Sequence, residues 1–255
     1  MPLGEETKAR LAAFPSLARS IAVYLDDPLR EATMDALYRR FLKPGDLAFD
    51  IGAHVGDRTA SFRRLGARVV ALEPQPDCFA ALRILHGEDR SVTLVEQACG
   101  ASAGRLQFNV NSANPTVSTL SGDFVKAAAG AGGWENQVWD RAIEVRVTTL
   151  DRLIANHGLP AFTKIDVEGH EAEVLAGLSS PLPALSFEFT TIQRDVALAC
   201  LGRLRALGRY RFDVALGESQ QLTFGHPVSF TEMADHLAGL PHEANSGDIY
   251  AILTP

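Results

Sequence analysis

The sequence has few of the residues that build staples and cages. Of its 255 residues, 3 are cysteine, 3 methionine and 2 tryptophan. Cys78, Cys99 and Cys200 are scattered, odd in number and free of any CxxC spacing, so neither a disulfide framework nor a zinc cage is expected, only reduced, buried thiols. No uncharged apolar run is long enough to span a bilayer. Near the amino terminus, Glu5 and Glu6 stand where a secretory leader needs positive charge ahead of an apolar core. A basic excess is missing too: 24 Lys and Arg face 31 Asp and Glu, a net charge of -7. That balance argues against nucleic acid or an anionic membrane as partner. A cytoplasmic protein is expected.

What is present is core material. Hydrophobic residues make up 46% and charged residues 22%, the balance of a globular chain that folds without covalent or metal staples. The length suits one α/β domain with insertions. Residues 5–42 carry helical periodicity, with apolar positions at Leu11, Phe14, Leu17, Ile21 and Leu25 and again from Met34 to Phe41, divided by Pro15 and Pro28. Residues 1–44 therefore read as an N-terminal helical extension, closed by the Lys43-Pro44-Gly45-Asp46 turn.

From residue 45 to 255, short apolar strands alternate with helices. Strands are expected at 47–51, 69–72, 92–96, 106–110, 143–147, 163–167, 185–189, 210–216 and 249–253. Helices are expected at 54–65, 76–85, 150–157, 172–178 and 194–207. Residues 111–141 interrupt this rhythm with an irregular Asn-, Ser-, Gly- and Ala-rich insertion that holds one short helix near 121–129. The alternation predicts an α/β fold, a Rossmann-like doubly wound, mostly parallel sheet with helices on both faces.

The first strand carries the most chemistry. FDIGAHVG ends an apolar strand in Asp50 and turns through Gly52 and Gly56 into a helix. Ligands of doubly wound sheets sit beyond the carboxyl ends of the strands, where this turn lies. Gly52 is expected to let backbone approach a ligand, and Gly56 to let the helix pack on the strand. Glu73, at the end of the second strand and roughly 20 residues on, occupies the position that grips ribose hydroxyls. A dinucleotide is disfavoured, because His54 replaces the second glycine of its fingerprint and Asp50 would repel the pyrophosphate. S-adenosylmethionine has no phosphate, and it offers an ammonium to Asp50 and a ribose diol to Glu73.

FDIGAHVGDRT (49–59), ALEPQPDCFAALR (71–83), EQACG around Ala98, TTLDRL, KIDVEGHEAEVLAGL (164–178), SFEF (186–189) and GDIYA (247–251) together resemble the FkbM family of S-adenosylmethionine-dependent methyltransferases. His54 stands where that family usually carries Asn. The resemblance implies cofactor contacts from Asp50, Gly52, Ala53, His54, Gly56 and Thr59 in the first motif, from Glu73 and Pro74 in the second, and from Gln97, Ala98 and Asp166. It also implies methyl transfer to hydroxyls of polyketide-type products or sugars.

On a strand over 163–167, period-2 alternation puts Lys164, Asp166 and Glu168 on one face. Asp166 at the strand tip is the first candidate for the group that orients the acceptor or takes its proton, with His170 second and Lys164 as the partner of Asp166. Glu188 on the next strand is a plausible neighbour. A structural Lys–carboxylate pair is the competing reading. Asp166, Glu168, His170 and Glu188 also suggest oxygen ligands for Mg²⁺, but Glu168 and Glu171 are not expected to converge with Asp166, so no metal is expected. Ser118, Thr119, Trp134, Trp139, Glu168 and Glu188 are the candidate contacts to the acceptor. The two tryptophans serve equally well as anchors of the insertion. The leading reading is an O-methyltransferase for a small hydroxylated metabolite. A protein side-chain methyltransferase, a nucleotide-dependent oxidoreductase and a catalytically silent cofactor-binding module are the alternatives.

Overall fold

The computed structural model describes residues 3–25 and 27–255. The helical amino-terminal stretch forms α1 (Glu5–Leu11), α2 (Ala18–Tyr24) and α3 (Pro28–Tyr38). Asp27 caps α3 by accepting the backbone N–H groups of Leu29 and Arg30, while Pro28 at the first position needs no hydrogen-bond partner for its nitrogen. The repeating part then runs β1 (Leu47–Ile51), α4 (Asp57–Arg64), β2 (Arg68–Leu72), α5 (Pro76–His86), β3 (Val92–Val95), β4 (Ala98–Cys99) and β5 (Gly104–Val110). Within the insertion lies α6 (Gly122–Ala128). It is followed by β6 (Arg141–Thr148), α7 (Leu150–His157), β7 (Phe162–Ile165), α8 (Glu171–Ala176), β8 (Ala184–Thr190), α9 (Arg194–Leu207), β9 (Tyr210–Leu216), α10 (Phe230–Gly239) and β10 (Ser246–Leu253).

Seven strands form the central sheet in the order β3-β2-β1-β7-β8-β10-β9. Pairings from β3 through β8 are parallel, and β10 runs antiparallel to both its neighbours. All five residues of β1 and all four of β7 are buried, as a parallel strand covered on both faces requires. The doubly wound fold expected from the alternation is the fold observed.

Four expectations are corrected. The strands expected at 106–110 and 143–147 do not enter the central sheet; β5 and β6 pair antiparallel in a separate three-stranded sheet, β4-β6-β5. The first four residues of β5 are exposed, which a strand covered on both faces does not tolerate. Helix α4 starts at Asp57 rather than residue 54, because His54 and Gly56 both adopt left-handed φ, 49° and 81°. Strand β7 stops at Ile165 rather than at residue 167, and the chain then turns through left-handed Glu168 and Gly169 (φ 56° and 83°). Helix α10 was not anticipated, although Ser229 and Glu232 form a capping box at its start; that Ser-x-x-Glu spacing is the signal that could have found it.

The amino-terminal helices pack onto the domain. Tyr38 of α3 meets Phe62 and Phe162 with ring centroids 4.8 and 5.5 Å apart, and Phe41 stacks on Phe162 and Tyr250 at 4.9 and 5.7 Å. Phe162, fully buried at the start of β7, is the centre of this aromatic layer. Phe162→Ala should lower folding stability by about 3–5 kcal/mol, read as a drop in the urea midpoint at unchanged slope.

Candidate active site

A cavity opens at the carboxyl ends of β1, β2 and β7, where open α/β sheets place their ligand sites. Asp50 stands at its base, buried, with the Thr59 hydroxyl donating to Oδ2 at 2.5 Å. Burial pushes the Asp50 carboxyl up to about 6 against that hydrogen bond. Thr59 thus acts on the cavity through Asp50 and does not line it. Gly52 lines the cavity, yet the contact that demands glycine is with protein: a Cβ there would lie 1.8 Å from the Asp166 carbonyl oxygen, and φ is +83°. Gly56 makes room for α5 rather than for β1, since a Cβ would come within 2.8 Å of Leu82 and His86. The role expected of Gly56 is therefore shifted to α5, whereas Gly52 lines the cavity as expected and also makes room for the Asp166 turn.

Glu73 joins the first two strands. Its Oε2 accepts the backbone N–H of His54 at 2.9 Å and its Oε1 that of Gln75 at 2.8 Å. Burial raises its carboxyl to about 7 despite these two bonds. Each oxygen retains a lone pair for a ligand hydroxyl. His54 is half-buried, with Nε2 itself buried and unpartnered and the ring edge-on to Tyr24 at 5.9 Å; desolvation lowers its pKa. Ala53, Pro74, Gln97 and Ala98 complete this side of the wall.

The far wall is built from charge. Lys164, 1% exposed, donates to Asp166 Oδ2 at 2.9 Å and to Asp248 Oδ1 at 2.8 Å. Burial opposes the ammonium, but the two carboxylates hold its pKa well above the usual lysine value. Burial alone would raise Asp166, yet Lys164 keeps it below the usual carboxylate range. Glu188 of β8 lies beside Asp166, as expected; Asp248, opposite it in β10, is the second Lys164 partner that sequence reasoning missed. GDIYA carried the signal, an acid in an otherwise apolar strand. Past Ile165, alternation no longer applies: Glu168 reaches the cavity through its left-handed turn, not by sharing the strand face of Lys164 and Asp166.

The expectation that Glu168 diverges from Asp166 is also corrected. Oxygens of Asp166, Glu168 and Glu188 lie within 4.8 Å of one another. Glu171 does turn away, accepting the backbone N–H groups of Val167 and Gly169. His170 does not line the cavity. Its ring lies against the second sheet, 3.3 Å from where a Gly100 Cβ would sit, because it occupies the N-cap position of α8. Thr119 is likewise kept out: its hydroxyl donates to the Glu168 carbonyl at 2.6 Å and accepts from Ser121 N at 2.8 Å. Ser118 does line the cavity, and its hydroxyl accepts from Asn111 N.

A second, more open space adjoins the first. Tyr24, Thr116, Glu168, Glu188 and Glu218 line both. Trp134 lines the second space while its ring meets Phe124 edge-on at 5.2 Å. Trp139 lines neither of these spaces; it anchors the insertion by donating Nε1–H to the Val117 carbonyl at 2.9 Å and packing against Phe124. A further network went unread in the sequence. Arg58 and Arg30 both bind Asp57 and Glu218 over 2.5 to 3.0 Å. Burial would raise Glu218, but the two guanidinium groups hold it at about 2. Four charges thereby join α3, α4 and the segment after β9 at the cavity rim.

A doubly wound sheet with an acid-bearing glycine turn, a second acid after β2 and an adjoining chamber defines a nucleoside-binding α/β enzyme fold. The FkbM methyltransferase domain matches residues 50–239, and the chain belongs to that methyltransferase family. Its methyl donor is S-adenosylmethionine. The chain is 32% identical to the 31-O-demethyl-FK506 methyltransferase FkbM of Streptomyces tacrolimicus over 81% of this chain and 82% of that one. It is 27% identical to the hexuronic acid methyltransferase AglP of Haloferax volcanii over 59% and 57%. Among solved structures, the O-methyltransferase from Bacillus cereus in complex with SAH aligns over 100% of this chain and 93% of that one, at 12% identity and a TM-score of 0.45. No helix among the described residues is long and apolar enough to cross a membrane.

Removing Lys164 should expose how much the far wall depends on it. Lys164→Met leaves Asp166 and Asp248 without their cation, and breaking one side of a buried ion network costs about 3–5 kcal/mol. Thermal denaturation should show a clearly lowered midpoint, and Lys164→Met/Asp248→Asn should recover part of it.

Proposed function

We propose that this protein transfers the methyl group of S-adenosylmethionine to a hydroxyl of a small metabolite, a sugar or a polyketide- or peptide-type product. The observation that carries the reading is the meeting of two chambers at Glu168 and Glu188, one walled by Asp50 and Glu73 and the other reaching toward the insertion. The two relatives, methyltransferases of 31-O-demethyl-FK506 and of a hexuronic acid, support a small oxygen-bearing acceptor.

In this reading Asp50 takes the α-ammonium of the cofactor and Glu73 its ribose diol. Gln97 and Ala98 border the adenine, and Gly52, Ala53, His54 and Pro74 shape the turn around the cofactor. Thr59 holds Asp50 in place, and Gly56 lets α5 close behind the turn. Ser118, Glu168, Glu188 and Trp134 face the acceptor. An aliphatic hydroxyl has a pKa near that of water, about 15.7, so its proton leaves as the oxygen attacks. The new C–O bond forms while the C–S bond breaks and its electron pair returns to sulfur. Asp166 orients that hydroxyl and receives the proton, and Lys164 holds Asp166. The sulfonium is already reactive, so most of the gain comes from in-line positioning.

Calorimetric titration should show binding of S-adenosylmethionine and its demethylated product, and none of NAD or NADP. Glu73→Ala should weaken the cofactor by tenfold or more, because charge-assisted ribose hydrogen bonds are worth about 1.5–3 kcal/mol. Micromolar NAD binding without the sulfonium cofactor would overturn the proposal.

A screen of hydroxylated acceptors, followed by release of the demethylated cofactor, should identify the substrate. With that acceptor, Asp166→Asn should lower turnover roughly 10²–10⁴-fold at nearly unchanged cofactor affinity. Near-normal turnover in the folded variant removes Asp166 from the chemistry.

A further inference from the structure

The carboxylates at the junction of the two chambers are short of positive charge. Asp166 follows β7, Glu168 sits in the left-handed turn beyond it, and Glu188 lies near the end of β8; each brings one oxygen within 4.8 Å of the other two. Glu168 is only 7% exposed, and its carboxylate has neither a hydrogen bond nor an ion pair among the described residues; its backbone carbonyl alone is bonded, by Thr119. Glu188 Oε2 is buried and unpartnered. Asp166 gives Oδ2 to Lys164 and leaves Oδ1 unbonded.

The nearby cations are already committed. Lys164 serves Asp166 and Asp248, and Arg58 serves Asp57 and Glu218. Burying carboxylates without a partner is costly. The cofactor's sulfonium carries no N–H, so it cannot donate a hydrogen bond to these oxygens.

We propose that Asp166, Glu168 and Glu188 form a binding site for one hard divalent cation, Mg²⁺, Mn²⁺ or Ca²⁺. An all-oxygen donor set selects these ions over soft metals. Oxygens that all lie within 4.8 Å of one another are close enough for the three side chains to bear on one such ion, whose metal–oxygen distances run from about 2.0 to 2.6 Å. Three protein oxygens leave the other coordination positions to water or to an acceptor's hydroxyls on the side of the second chamber.

Cation binding stands by itself, whereas its chemical consequence rests on the hydroxyl-methylation reading. A hydroxyl bound to the ion becomes more acidic, as bound water does. Its proton then passes to bulk water as the C–O bond forms and the C–S bond breaks, with the electron pair going to sulfur. With the ion bound, Asp166 is spent as a ligand, and this step replaces the transfer of the proton to Asp166 proposed above for the metal-free site.

The test needs neither cofactor nor acceptor. EDTA-treated protein is titrated with Mn²⁺, free Mn²⁺ is followed by electron paramagnetic resonance, and Mg²⁺ and Ca²⁺ are added as competitors. One saturable site per chain is expected, weakened at least tenfold in Glu168→Gln and in Glu188→Gln and unchanged in Asp123→Asn, an exposed acid far from the cluster in sequence. Mn²⁺ should raise the melting temperature of the unmodified protein and not that of either Gln variant, a readout that also reports whether each variant folds. Absence of a saturable site, or an affinity unchanged from that of the unmodified protein in both Gln variants, overturns the proposal. Loss of S-adenosylmethionine binding in the separate calorimetric experiment would overturn the cofactor reading and leave this one standing.

Discussion

An ammonium buried to 1% exposure has to be neutralised where it stands, and in this protein the far wall of the site is organised around that requirement. Lys164 lies in β7 at the middle of the central sheet, and its two carboxylate partners come from the turn after the same strand and from β10. The strand between them, β8, places Ser186 and Glu188 alongside. A single charge thus ties the carboxyl end of the parallel half of the sheet to the antiparallel strand that enters last. Removal of that cation from water is tolerable only because two acids, one of them open to the cavity, are delivered within hydrogen-bonding distance.

The opposite wall is governed by backbone rather than charge. The turn after β1 and the turn after β7 come so close that a single methyl group at Gly52 would overlap the Asp166 carbonyl. Glu73 fixes the same turn from the other side through the His54 and Gln75 amides. Asp50, Glu73 and Asp166 are therefore held in register by contacts between strand ends, and their spacing does not depend on flexible loops. The mobile-looking composition of the insertion is deceptive: Phe124, Trp134 and Trp139 give it a small core of its own, and the Trp139 indole ties it to the Val117 carbonyl.

Legibility in the sequence tracked locality. Strands and helices within the alternating region, including α7, α9 and β9 with their full bounds, followed from periodicity because each buries a face defined by its own residues. The cavity residues contributed by the strand-end motifs, Asp50, Glu73, Lys164 and Asp166 among them, were legible for the same reason. His170 and Thr119 sit in or near those motifs and still face elsewhere, since one turn of backbone beyond a strand end is enough to reverse a side chain. Arg30, Arg58 and Glu218 were invisible, being far apart along the chain and each resembling an ordinary solvated charge.

By itself, the sequence determined the doubly wound class, the two acids after the first strands and the acid after β7, because strand alternation and glycine turns are written in neighbouring residues. Only the tertiary structure decided which strands share the central sheet, that Asp248 is the second partner of Lys164, and that Glu168 converges with Glu188 on Asp166. Those outcomes depend on strand order and on left-handed turns that bring distant carboxylates into one low-dielectric space, where the cost of unpaired charge is set by what the fold has gathered around it.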